Sequence, residues 1–101
     1  EGIKALAGVY RINLSYTNVT DEGLQALSGV YNIELAYTKV TDEGLKGLEV
    51  NTIDISGCQS VTDVGIASLV GVKSLHINDC LCISGEGVLK LVGLKYLFHS
   101  G

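Results

Sequence analysis

The chain is predicted to fold as an α/β solenoid, in which about 4–5 stacked units of 21–22 residues each contribute one short strand and one short helix. Three observations predict it. The word VTDEGL stands at Val19–Leu24 and again at Val40–Leu45, and looser copies follow at Val61-Thr62-Asp63-Val64-Gly65-Ile66 and Ile83-Ser84-Gly85-Glu86-Gly87-Val88. The glycines of these words, Gly23, Gly44, Gly65 and Gly87, together with Gly2 in Glu1-Gly2-Ile3, the tail of an earlier copy, are 21, 21, 21 and 22 residues apart. A second series keeps the same period: Ile12-Asn13-Leu14, Ile33-Glu34-Leu35, Ile53-Asp54-Ile55 and Leu75-His76-Ile77, with Leu97 beginning a fifth.

Each element has its own reason. The second series alternates apolar and polar residues, which reads as a strand with one buried face. An apolar residue precedes each strand by three positions, at Val9, Val30, Val50, Val72 and Leu94. The helix is read from the repeated word: Thr20 as N-cap, Asp21 and Glu22 in the first turn, Leu24 and Leu27 on one face, and Gly29 as terminator of a helix of about two turns. The same logic places Thr41 with Leu45 and Leu48, and Thr62 with Ile66 and Leu69. Gly8, Gly29, Gly71 and Gly93 stand just before the next strand unit. The third unit lacks that glycine and is one residue shorter, at Leu48-Glu49-Val50. The glycines inside the helices cost some helix stability, so their recurrence predicts a neighbouring coil packed too close for a side chain. Neither a three-residue strand nor so short a helix buries its own apolar face; stacking does, with parallel strands and right-handed crossovers.

Composition narrows the functional classes. A chain of 101 residues with 47% hydrophobic content is one small domain. It has no run of about 18 apolar residues, hence no expected membrane span, and its start lacks the features of a secretory signal. A net charge of −4 argues against nucleic acid as the partner. Three cysteines cannot all pair within the chain, which suits a reducing, cytoplasmic setting, with a secreted parent left open. The first residue is not Met, the chain starts within a helix pattern, and it stops just after a strand. No unit has the polar face of a cap, so a segment of a longer array is expected, with self-association through its uncapped ends.

The units resemble leucine-rich repeats over essentially the whole chain. Cys58-Gln59-Ser60-Val61-Thr62-Asp63 is similar to the cysteine-containing subtype, and Cys80-Leu81-Cys82-Ile83-Ser84-Gly85 to an altered form of it. Thr17-Asn18-Val19 and Thr38-Lys39-Val40 instead resemble the T-x-V-T-D form of bacterial repeats. The resemblance implies a curved leucine-rich repeat solenoid, right-handed, with a parallel β-sheet on the concave face and helices on the convex face. It also implies protein recognition. Cysteine-containing repeats often belong to F-box substrate receptors of ubiquitin ligases; no F-box segment is visible here. The repeat specifies fold far more narrowly than function.

Seven of the eleven acids fall at helix starts. VTDEGL lacks the spaced ligands of a calcium loop, so its acids read as charges opposing the helix macrodipole. Cys58 and Cys80 share the repeat position of Thr17 and Thr38 and read as inward-pointing free thiols; no metal or cofactor site is expected. The variable surface is the exposed strand face. Its central row is Asn13, Glu34, Asp54, His76 and Phe98; the adjoining row is Arg11, Asn32, Thr52, Ser74 and Tyr96. Glu34, Asp54 and His76 fall on consecutive rungs, a set able to hold a cation or move protons. No nucleophile or pocket accompanies it, so an enzyme is not expected. A polar face whose acids receive a basic side chain from a protein partner is the simpler reading. Tyr16 and Tyr37 occupy equivalent positions beside the strands, as do Tyr10 and Tyr31; an aromatic ladder at Tyr16 and Tyr37 would serve either binding or stacking. The sequons at Asn13 and Asn18 read as chance.

Overall fold

A computed structural model of the chain describes residues 10–99. The expected tail of an earlier unit at Glu1-Gly2-Ile3, with Gly8 and Val9, lies outside them. Five strands, β1 (Arg11–Asn13), β2 (Asn32–Glu34), β3 (Thr52–Asp54), β4 (Ser74–His76) and β5 (Tyr96–Phe98), alternate with four helices, α1 (Asp21–Gln25), α2 (Asp42–Leu45), α3 (Asp63–Ala67) and α4 (Gly85–Leu89). The strands form one parallel sheet in chain order. Its register is the predicted one: Ile12, Ile33, Ile53, Leu75 and Leu97 stand side by side, flanked by the rows that begin at Arg11 and Asn13. This is the α/β solenoid that the 21–22-residue period dictates.

Stacking closes the core. Ile33, Ile53 and Leu75 are fully buried under the sheet, and Leu24, Leu45 and Ile66 meet them from the helix side. Val30, Val50 and Val72 fill the bend before each strand. The last coil is different: Leu97 is 38% exposed where its equivalent Leu75 is 0%. Leu81, Leu89 and Val92 also stand in solvent. Among the described residues no helix is long and apolar enough to cross a membrane.

The helices are shorter than two turns. They span four or five residues, and Leu27, Leu48 and Leu69 are buried in the turns that follow. Such short helices leave most of their polar termini without intrahelical partners, and neighbouring coils supply what is missing. Thr20, Thr41, Thr62 and Ser84 each cap their own helix through the side-chain oxygen. The aspartate after the cap then reaches sideways. Asp21 accepts from Thr41 N and Oγ1 (2.8 and 2.6 Å), Asp42 from Thr62 N and Oγ1 (2.7 and 2.5 Å), and Asp63 from Ser84 N and Oγ (2.8 and 2.6 Å). The acids of the repeated word therefore join coil to coil as well as facing the helix start. The expected close approach of a neighbouring coil is present at three of the helix glycines: a Cβ on Gly65 would lie 2.3 Å from Asp42 Oδ1, one on Gly44 2.5 Å from Asp21 Oδ1, and one on Gly87 2.8 Å from Asp63 Oδ1, whereas the nearest atoms to one on Gly23 belong to its own coil.

The shortened third unit ends its helix early. Lys46 leaves the helical conformation, and Gly47, at φ +67°, makes the turn that a glycine just before the strand makes elsewhere. Gln25 of the preceding coil donates to the freed carbonyls of Gly44 and Lys46 (2.8 and 3.0 Å). The Ser68 hydroxyl of the following coil shares its one proton between Gly65 O of its own helix (2.7 Å) and Leu45 O (3.1 Å). The truncated segment is thus held from both sides.

Candidate functional site

The exposed face of the sheet gathers the predicted residues in two rows. Arg11, Asn32, Thr52, Ser74 and Tyr96 are Cα partners across the five strands, and so are Asn13, Glu34, Asp54, His76 and Phe98. Adjacent rungs are set about 5 Å apart by the backbone ladder, which fixes the spacing that any bound surface meets.

Several of these side chains already have partners within the fold. Arg11 forms an ion pair with Glu34 on the next rung, its guanidinium also donating a hydrogen bond to the carboxylate. Both contacts fall on Glu34 Oε2, so a basic group from a partner would share this carboxylate with Arg11. Asp54 Oδ1 accepts the backbone N–H of Ser56 (2.9 Å), and Asn13 Oδ1 accepts that of Ser15 (3.0 Å), so both fix the turn that leaves the strand. The His76 ring stacks on Phe98 at 4.3 Å between centroids. The row of Glu34, Asp54 and His76 is in place, but each member is engaged differently. Among the described residues no cluster of three or more His, Cys, Asp or Glu is arranged to hold a metal ion.

The tyrosines do form a ladder. Tyr16 and Tyr37 stack at 5.3 Å with planes 14° apart, and Tyr10 and Tyr31 at 4.6 Å with planes 12° apart. Tyr37 goes further. Its ring covers Gly57 on the next coil, and its hydroxyl donates to Asp79 Oδ2 two coils on (2.8 Å). That bond, and then the negative charge of Asp79, hold the phenol pKa above its ordinary 10.0, so Tyr37 remains a donor.

Beneath the rim, the Thr and Cys position forms a polar rail. Thr17 and Thr38 donate to carbonyls of their own turns, Leu14 and Leu35 (2.6 and 2.8 Å). Cys58 and Cys80 donate instead to the preceding rung, at Leu35 O and Ile55 O (both 3.1 Å). All three cysteines carry free thiols, and Cys58 is buried. Burial pushes the Cys80 thiol up, which keeps its proton for that bond.

Beside the predicted Thr52, Ser74 and Tyr96, this face brings in three residues that the sequence did not single out, Asn51, Lys73 and Lys95. At the starting edge of β3, β4 and β5 lies a groove of about 430 Å³, lined by Tyr31, Asn51, Thr52, Lys73, Ser74, Lys95 and Tyr96. Lys73 and Lys95 precede strands and carry no alternation signal, so the period that located the face did not mark them. Their equivalence to Tyr10 and Tyr31 in the repeat was the available clue.

A family model described as Leucine Rich repeat matches residues 11–28 and 50–70. The first match begins at the first residue of β1 and covers α1; the second covers β3 and α3. No curated protein matches the chain. These matches support a leucine-rich repeat family, and five in-register parallel strands alternating with short helices make the fold a leucine-rich repeat solenoid of about five repeats.

Proposed function

We propose that the chain is a protein–protein interaction module that receives its partner on the exposed sheet face. Leucine-rich repeats generally mediate such contacts, and one observation here carries the reading. The two outward rows differ from rung to rung, whereas the residues that build the stack repeat: the buried aliphatics, the capping Thr or Ser, and the helix Gly. Variation is concentrated on the outward rows, on a surface of fixed spacing. The contacting residues are Arg11, Asn13, Asn32, Glu34, Thr52, Asp54, Ser74, His76 and Tyr96, with Tyr16 and Tyr37 at the rim.

The test is affinity capture by the immobilised chain, quantified by mass spectrometry. Asp54→Asn combined with His76→Ala alters the face while leaving an oxygen for Ser56 N and the core untouched. Capture of the specific partner is expected to fall by about tenfold or more, with Glu22→Gln/Glu43→Gln on the helix side unchanged. Equal capture by both double variants ends the reading. A narrower role, as the substrate-recognition segment of an F-box-type ubiquitin ligase receptor, draws support from the cysteine-containing words at Cys58 and Cys80. It requires the parent protein to co-purify with ligase subunits.

A further inference from the structure

We infer that the groove between Tyr31 and Tyr96 is a docking site for an acidic segment of the partner protein, with Lys73 and Lys95 supplying its charge. The inference rests on the sheet face being the binding face and adds the chemistry of what binds.

Three observations converge on it. The first is backbone geometry. Tyr31 O accepts the N–H groups of Asn51 and Thr52, Asn51 O those of Lys73 and Ser74, and Lys73 O those of Lys95 and Tyr96, all within 3.2 Å. Each strand start is thereby tied twice to the one before. Lys73 and Lys95 are held on adjacent rungs, two cations about 5 Å apart at the backbone, in the lining of the groove at its Tyr96 end.

The second is the donor balance. Ammonium groups only donate. Thr52 Oγ1 donates to Asn51 Oδ1 (3.1 Å), which engages one lone pair of the amide carbonyl and leaves the NH2 as a donor to a ligand. Ser74 and Tyr96 add hydroxyls. A groove lined by so many donors is matched by a group that only accepts, such as a carboxylate, and charge-assisted bonds of this kind are the stronger class. Among the described residues the ion pair between Arg11 and Glu34 is the sole salt bridge, so no acid of the described fold neutralises either lysine. Glu49 lines the neighbouring notch with Tyr31 and Asn51, which confines the favourable region to the Lys73–Lys95 end.

The third is the distribution of charge. The chain is acidic overall, yet its acids collect where strands end and helices begin, at Asp21, Glu22, Asp42, Glu43, Asp63 and Glu86. Lys73 and Lys95 lie at the opposite ends of the strands. An anionic segment is steered toward that edge and away from the other. The exposed rings of Tyr31 and Tyr96 line the same groove and offer apolar contact to the segment's backbone and methylenes.

The experiment is fluorescence anisotropy of a labelled poly-glutamate peptide titrated with the whole chain at low ionic strength. Binding is expected, weakened by added salt and at least about tenfold tighter than that of a poly-glutamine peptide of equal length. Lys73→Glu/Lys95→Glu is expected to abolish it, and the milder Lys73→Gln/Lys95→Gln to weaken it, with circular dichroism reporting an intact fold. Lys46→Glu/Lys90→Glu, which changes the net charge equally on the helix side, leaves it unchanged. Equal losses in the two charge-reversed variants, no preference for glutamate, or tighter binding of a single-stranded oligonucleotide than of the peptide overturns the proposal. Capture of the partner that depends on Asp54 and His76 but ignores Lys73 and Lys95 would sink the groove alone and leave the binding face standing.

Discussion

Tyr37 holds a backbone conformation that a tyrosine adopts only against a steric cost. Its φ is +58°, that of Tyr16 is +64°, and the equivalent positions hold Gly57 at +73° and Asp79 at +60°. The left-handed region costs a residue with a Cβ about 1–2 kcal/mol, and it is most unusual for a bulky one. The offset is visible in the ladder: Tyr16 stacks on one side, Gly57 lies under the ring, and Asp79 accepts the hydroxyl. Equivalence of Tyr16, Tyr37, Gly57 and Asp79 could be read from the repeat. The left-handed turn could not, because two tyrosines hide what a run of glycines would have announced. Gly57 tests the account. A Cβ there would lie 2.3 Å from the Tyr37 ring, so Gly57→Ala combines a backbone cost with a collision. Its expected destabilisation is about 2–3 kcal/mol by urea unfolding. In a Tyr37→Ala background only the backbone part remains, about 1 kcal/mol. Strictly additive losses in that double-mutant cycle would show that ring and glycine do not meet.

Helices of a single turn persist because their ends are satisfied by other coils. The capping Thr, the acids and the helix Gly are legible in the sequence, where the acids read only as charges facing the macrodipole. The reach of Asp21, Asp42 and Asp63 into the next coil depends on register between helices, which a motif read along one strand of text does not contain. Gln25 carries no sequence signal for the same reason, since its three carbonyl partners are 18–21 residues away. The ladder has a pH signature at Asp63. The Ser84 hydroxyl, then its N–H, hold this carboxyl below the ordinary 3.8, with a contribution from Gly87 N–H and the nearby charge of Lys90. A lowered folded pKa means that the unfolded chain takes up the proton first as pH falls. The stabilisation is therefore complete above the unfolded value and disappears as pH drops through the lower, folded one. Asp63→Asn keeps an acceptor for Ser84 N and removes the charge. The wild-type advantage over this variant, measured by urea midpoints, is expected to be constant near neutrality and to shrink below about pH 4. An advantage that survives unchanged into acid would mean that the carboxylate charge contributes nothing.

At the scale of the whole stack, each coil is covered only by its neighbours, so burial follows position in the array. The period of 21–22 residues made the architecture and both outward rows legible, because repetition averages away the ambiguity of any one short strand. It could not reveal which outward residues pair among themselves, as Arg11 and Glu34 do, since their contact crosses rungs at positions that differ from one unit to the next. Nor does repetition imply equal stability. Ile55 N donates to His76 O at 2.9 Å and Ile77 N to Phe98 O at 2.8 Å, the same residue type in the same repeat position with nearly the same bond. Their surroundings differ: β3 is covered on both sides, whereas the strand that receives Ile77's proton carries the part-exposed Leu97 and Phe98. In a linear array that opens from its less covered end, β5 detaches without disturbing β3. Native-state hydrogen exchange, corrected for intrinsic rates, is then expected to protect Ile55 at least about tenfold more than Ile77, with Leu35 close to Ile55. Identical protection at the two isoleucines would instead show that the coils open together, and that the inter-coil bonds of Asp63, Tyr37 and Cys80 bind the stack into one cooperative unit.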